Sequence, residues 1–146
     1  INTELSKTVK EIDSSDKISS RWIAYDGIIL GNYLIANGIN SLNSVHLYPQ
    51  NDLWERFDPQ SKYKTIWNRY AHVTFASNSA DKIDFVLNHA DVFTVKVNPC
   101  NNVFKELDVR YFVMVGKSNE TCLTQLGTIS HPGAFINPIY IYQRTN

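Results

Sequence analysis

The chain has 146 residues, with 14 Lys and Arg balanced by 14 Asp and Glu, and it carries only 19% charged against 12% aromatic residues. That length fits one domain able to bury about two thirds of its unfolded surface. The charge balance leaves no long-range field for nucleic acid, which is not expected as a partner, and no run of about 18 apolar residues exists to span a bilayer.

Eight tyrosines and three tryptophans among few charges suit neutral polar partners such as sugars, and equally a sheet with aromatic packing. The opening INTELSKTVK lacks the apolar core of an export signal. Together with a start at Ile1 rather than Met, this suggests a piece cut from a longer chain.

In chain order, Leu5, Val9 and Ile12 recur at helical spacing and predict a short amphipathic helix over 3–18, closed by the polar SSDKISS. RWIAYD, 21–26, is expected to be the first strand, with Asp26-Gly27 as a turn. A short helix is expected around 31–36. Leu53, Trp54 and Phe57 predict another, capped by Asn51 or Asp52 and closed by Asp58-Pro59, and a further helix runs over 60–67.

AHVTFAS alternates as a strand. KIDFVLNHADVFTVKVN predicts a hairpin turning at Asn88 to Asp91. NPCNNVFKELD restarts a helix with Asn98 or Asn101 as cap, and the apolar VRYFVMVG, 109–116, reads as the central strand. TCLTQLGTI and IYIYQ supply the last two strands around a loop with His131-Pro132-Gly133. The expected fold is a single α/β domain, with α+β as its near relative: a mixed sheet of about five or six strands with helices packed against it.

Chemical motifs are few. Four scattered histidines, His46, His72, His89 and His131, form no His-x-x-x-His or His-Glu-x-x-His pair, so no metal is expected, and His89 beside Asp91 reads as a hairpin tip. No Gly-x-Ser-x-Gly marks a nucleophile elbow. YDGIILGN offers Gly27 and Gly31 but neither the third glycine nor the lysine of a phosphate loop, and no cofactor is expected. Asn119-Glu120-Thr121 matches the glycosylation acceptor pattern, read as chance. Cys100 and Cys122 are too far apart for a zinc site built on Cys-x-x-Cys pairs, and are either buried thiols or one disulfide.

The segment 43–72 concentrates groups able to stack on sugars or hydrogen-bond their hydroxyls: Asn43, Tyr48, Trp54, Asn68, Arg69, Tyr70 and His72 are the ligand-binding candidates. The plainer alternative makes Trp54 and Trp67 core anchors, with Asn68 and Arg69 capping a helix end and pairing with Asp58. A third possibility is a small hydrolase or nucleotide-using transferase with Asp26, Asp58, Arg69 and His72 in one cleft. A fourth is an interaction domain without ligand.

NGINSLNSVHLYPQNDLWERFDPQSKYKTIWNRYAHV carries Gly38, Ser41 and Asn43, then Tyr48-Pro49, Trp54, Asp58-Pro59 and the run Asn68 to His72. In this combination it resembles a block near the C-terminus of large bacterial polytopic membrane proteins, GT-C type glycosyltransferases of the cell envelope. NPCNNVFKELDVRYFVMVG resembles the cysteine, helix and strand that close such proteins, so the resemblance covers roughly residues 20 to 145.

It implies a non-catalytic domain on the extracytoplasmic face of the bacterial membrane. Its expected partners are a cell-envelope glycan and the membrane portion of the same chain. Catalysis in such parents lies elsewhere, and no catalytic residue carries over. That setting also favours a Cys100–Cys122 bond.

Overall fold

The computed structural model describes residues 3–17, 20–43, 45–46 (backbone only), 50–130 and 137–145. Tyr48, the side chain of His46 and the loop around His131 lie outside the described residues. The elements run α1 (Glu4–Ser15), β1 (Arg21–Ala24), α2 (Ile28–Ala36), β2 (Val45–His46), α3 (Asn51–Phe57), α4 (Lys64–Trp67) and β3 (Ala71–Ala76). They continue β4 (Asp84–His89), β5 (Val92–Lys96), α5 (Asn102–Glu106), β6 (Val109–Met114), β7 (Leu123–Ile129) and β8 (Ile139–Arg144).

The class is mixed α/β. Among the described residues its strands form two four-stranded sheets, ordered β1-β6-β8-β7 and β2-β3-β5-β4, rather than one sheet of five or six. Each sheet mixes one parallel pair, β1 with β6 or β3 with β5, with antiparallel neighbours.

Strands β1, β6 and β8 of the first sheet are covered on both faces, which explains their near-continuous apolar sequences, whereas the edge strand β7 is largely exposed. Ile23, Phe112, Met114 and Tyr142 enter one core with Trp54, Phe75, Phe93 and Phe104. Trp22, Ala24, Tyr111, Val113, Ile139 and Ile141 point the other way, onto Leu5 and Val9 of α1 and Leu30 and Leu34 of α2. Thr3 caps α1 by accepting from Ser6 N at 3.1 Å, and Trp22 Nε1 donates to Asp13 at 2.9 Å, tying α1 to β1. The second sheet is one-sided. Val73, Phe75, Phe93 and Val95 face the core, whereas Thr74 and Thr94 join hydroxyls at 2.7 Å on the outer face.

Local chemistry corrects one expected boundary and chooses between two expected caps. The Asp58 carboxylate accepts from Lys62 N at 3.0 Å and Tyr63 N at 2.7 Å, which holds 58–63 as a turn, with Ser61 at φ 55°, and shortens the expected 60–67 helix to Lys64–Trp67. Asn101 caps α5 by accepting from Val103 N, while Asn98 accepts from Cys100 N.

The outer edge of β1 is where the two sheets meet. Trp22 N donates to Asn40 O, Leu42 N donates to Trp22 O, and Asp26 N donates to Phe75 O of β3. Between them the Asn43 side chain completes the ladder. Its Oδ1 accepts from Ala24 N at 2.6 Å and its Nδ2 donates to Ala24 O at 2.9 Å, and Asn43 itself is buried. Gly31 of α2 lies directly over this amide, since a Cβ there would come within 2.7 Å of the Asn43 Cβ.

Truncating Asn43 would orphan a buried N–H and C=O, so Asn43→Ala is expected to cost roughly 3 kcal/mol in chemical denaturation. Gly31→Ala is also expected to destabilise, although alanine in a helix interior is normally favoured over glycine by about 1 kcal/mol. A neutral result for both variants would contradict this close approach.

Candidate functional site

The structure disperses the candidates of segment 43–72. Asn43 spends its amide on β1. Trp54 is 1% exposed among Phe57, Phe75, Phe85 and Phe93, with no ring face open to a sugar. Arg69 donates to the backbone carbonyls of Ile66, Thr65 and Ala90, which closes α4 onto the β4–β5 turn. It does not pair with Asp58 as expected. The Asp58 carboxylate, itself buried, instead receives Trp67 Nε1 at 2.9 Å.

Asn68 and Tyr70 are exposed, and His72 sits half-buried in β3 on the side facing away from the core. KTIWNRYAHV is therefore a helix end turning into a strand, with Trp67 inward. Asp26, Asp58, Arg69 and His72 are not gathered either. Asp26 lines one cleft, Asp58 lines another with Pro59, Lys62 and Tyr63, and Arg69 is held by carbonyls. Among the described residues no group of three or more His, Cys, Asp or Glu is placed to hold a metal.

A different place gathers polar groups. The chain leaves β1 through Asp26, β6 through Gly116–Glu120 and β3 through Ser77, and these exits line an open cleft of about 340 Å³ with Met114 at its base. The cleft lies at the carboxyl ends of the parallel pair β1 and β6, the place where open α/β sheets commonly hold ligands. Its groups are the Asp26 and Glu120 carboxylates, the Asn119 amide, the Ser77 and Ser118 hydroxyls and Lys117.

Asp26 is held there at a cost to the fold. Its backbone is left-handed, φ 66°, followed by Gly27 at φ 143°, because β1 must turn sharply between its bond to β3 and the start of α2. Partial burial raises its carboxyl above the ordinary value. No hydrogen bond from the described residues reaches that carboxylate. Beneath it the Tyr25 hydroxyl donates to Val97 O at 2.7 Å, and burial, then the charges of Asp26 and Glu120, push the phenol well above its usual pKa.

The opposite wall is stapled. Cys100 and Cys122 form a disulfide with Cα atoms 5.6 Å apart, closing a 22-residue separation, for which chain entropy predicts about 3 kcal/mol of stabilisation. Residues of that loop are tied to its surroundings: Asn98 Nδ2 donates to Glu120 Oε1 at 2.9 Å, Glu120 N donates to Ser118 Oγ, and Ser118 N donates to the Tyr142 hydroxyl. The Glu120 side of the cleft is therefore rigid. The bond also fits an oxidising compartment.

Sequence reasoning passed over this cleft. It took Asp26-Gly27 as a turn, grouped Asp26 with Asp58, Arg69 and His72 in the alternative cleft, and read Asn119-Glu120-Thr121 as a chance pattern; the parallel register of Trp22 beside Tyr111 and Ala24 beside Val113 is what brings Asp26 to Glu120.

The raised carboxyl of Asp26 gives a signed expectation. Its ionised form is disfavoured in the fold, so Asp26→Asn should be the more stable protein at neutral pH, by less than about 1 kcal/mol after solvent screening. The advantage should fade as pH falls through the raised folded-state value and be gone below 3.8, the ordinary value, where the side chain is neutral in both the folded and unfolded protein. Thermal unfolding of both proteins across that range checks it. A variant less stable than the parent at neutral pH would show Asp26 to be a structural group.

Comparison with curated proteins and with solved structures finds no match. One family model matches residues 1–146, the whole chain. The chain therefore belongs to the family described as Domain of unknown function (DUF7654).

Proposed function

We propose that residues 1–146 form a non-catalytic, extracytoplasmic domain of a bacterial membrane glycosyltransferase-like protein, and that its strand-end cleft holds hydroxyl groups of a cell-envelope glycan acceptor. The observation that carries this is the lining of the cleft. Asp26, Glu120, Asn119, Ser77 and Ser118 are the acceptors and donors that hydroxyls need, on a rigid support.

Three of the four groups of the hydrolase or transferase alternative are placed elsewhere: Asp58 and Arg69 are consumed by local hydrogen bonds, and His72 belongs to β3, which leaves Asp26 alone of that set in this cleft. The disulfide supports an oxidising setting. No helix among the described residues is long and apolar enough to cross a membrane, so on this reading the catalytic and spanning parts belong to other residues of the parent chain.

Packing on the membrane portion of the same chain is a second reading. The apolar side chains exposed on α2, Ile29 at 71% and Ile35 at 40%, are the observation that favours it.

Titration with envelope glycan fragments, followed by amide NMR, separates the two. Glycan holding shifts the amides of Asp26, Ser77, Ser118 and Asn119 at millimolar ligand, and Asp26→Ala abolishes the shifts. Buried Trp54 and Trp67 stay silent. Unmoved cleft amides at that concentration would end the glycan reading and leave the packing one.

A further inference from the structure

At the other end of β6 the polarity reverses. Lys105, Arg110, Gln143, Arg144 and Thr145 line a cleft of about 320 Å³, floored by Val109, with Asp108 the one carboxylate among its lining residues. Arg110 Nη1 lies 3.6 Å from Asp16, so it is partly neutralised, whereas Lys105 is exposed on α5.

Arg144 is the unusual member. Its Nε and Nη1 are enclosed, yet neither donates a hydrogen bond to any described residue. Arginine normally lets its head reach water while its stem packs, and buried cationic donors are normally paired. Burial also lowers the guanidinium pKa, which accords with a charge short of partners.

Arg144 is firmly placed. Gln143 pairs with Tyr111 of β6, Arg144 pairs with Leu123 of β7, and Thr145 donates through both N and Oγ1 to Cys122 O. The disulfide thus braces the strand end that presents this cation.

We propose that this cleft is a binding site for a phosphate-bearing ligand, with the Arg144 guanidinium as its central cation and Lys105 and Arg110 as flanking charges. Guanidinium donors match an oxyanion, and cations from α5, β6 and β8 suit a tetrahedral anion better than a planar carboxylate, which a single fork satisfies. The volume accommodates a phosphate group and a short length of its carrier. Phosphate on a soluble envelope polymer and phosphate on a lipid headgroup share this chemistry. The site is independent of the Asp26 cleft at the opposite end of the strand.

The test uses the whole domain with ¹⁵N-labelled arginine. Inorganic phosphate should shift the Arg144 Nε–Hε resonance while chloride at equal ionic strength does not, and Arg144→Gln should weaken phosphate binding by about tenfold or more. Lys105→Ala, an exposed change that spares the fold, should weaken it by about threefold and reduce its salt dependence. Binding to a glycerol-phosphate oligomer but not to phosphatidylglycerol vesicles supports the site with a soluble polymer as source; binding to the vesicles supports it with a headgroup. An Arg144 resonance unmoved by phosphate, or equal phosphate affinity in the parent, Arg144→Gln and Lys105→Ala proteins, would overturn the proposal.

Discussion

The side-chain amide of Asn43 bonds both the N–H and the C=O of Ala24, taking the place that a neighbouring strand would otherwise occupy. On either side of it, backbone bonds from Asn40 and Leu42 serve Trp22, and Phe75 of β3 receives Asp26 N. Buried backbone polar groups have to be satisfied, so this edge decides how close the second sheet can come. Because a side chain fills the middle of the edge, the backbone bond to β3 among the described residues is made just past the end of β1, by Asp26 N to Phe75 O. The sheets stay distinct, α2 can settle on the amide through Gly31, and the chain is forced through a left-handed Asp26 at the mouth of a cleft.

Sequence patterning was informative wherever burial follows a simple period. The alternation in AHVTFAS corresponds to β3, the hairpin around Asn88 to Asp91 to the pair β4 and β5, and the apolar run 109–116 to β6, and Leu5 and Val9 lie on the buried face of α1. Patterning was less informative where a single side chain overrides period. Asp58 replaces the first turn of an expected helix, and Asn43 acts as a strand edge, which no propensity for asparagine would suggest. The two-residue β2 is too short to carry any alternation.

The aromatic and amide-rich stretch drew attention as a binding surface because stacking and hydrogen-bonding groups crowd it. Those same groups build cores: Trp54 fills the space between four phenylalanines, and Trp67 needs a carboxylate for its indole N–H. The clefts that offer unspent polar groups instead lie at the two ends of β6, one rich in carboxylates and hydroxyls and one rich in cations. A zero net charge for the whole chain hides that polarity. The Cys100–Cys122 bond braces both ends, through Glu120 on one side and Thr145 on the other.

Native-state hydrogen exchange at the Ala24 amide tests the role of Asn43 most directly. An N–H bonded only to a side chain normally exchanges through small local openings; if Asn43 locks the junction of the two sheets, Ala24 should exchange only through global unfolding, as slowly as Val113 in the middle of β6. Exchange of Ala24 at the rate of a frayed edge, with Val113 still protected, would contradict the account.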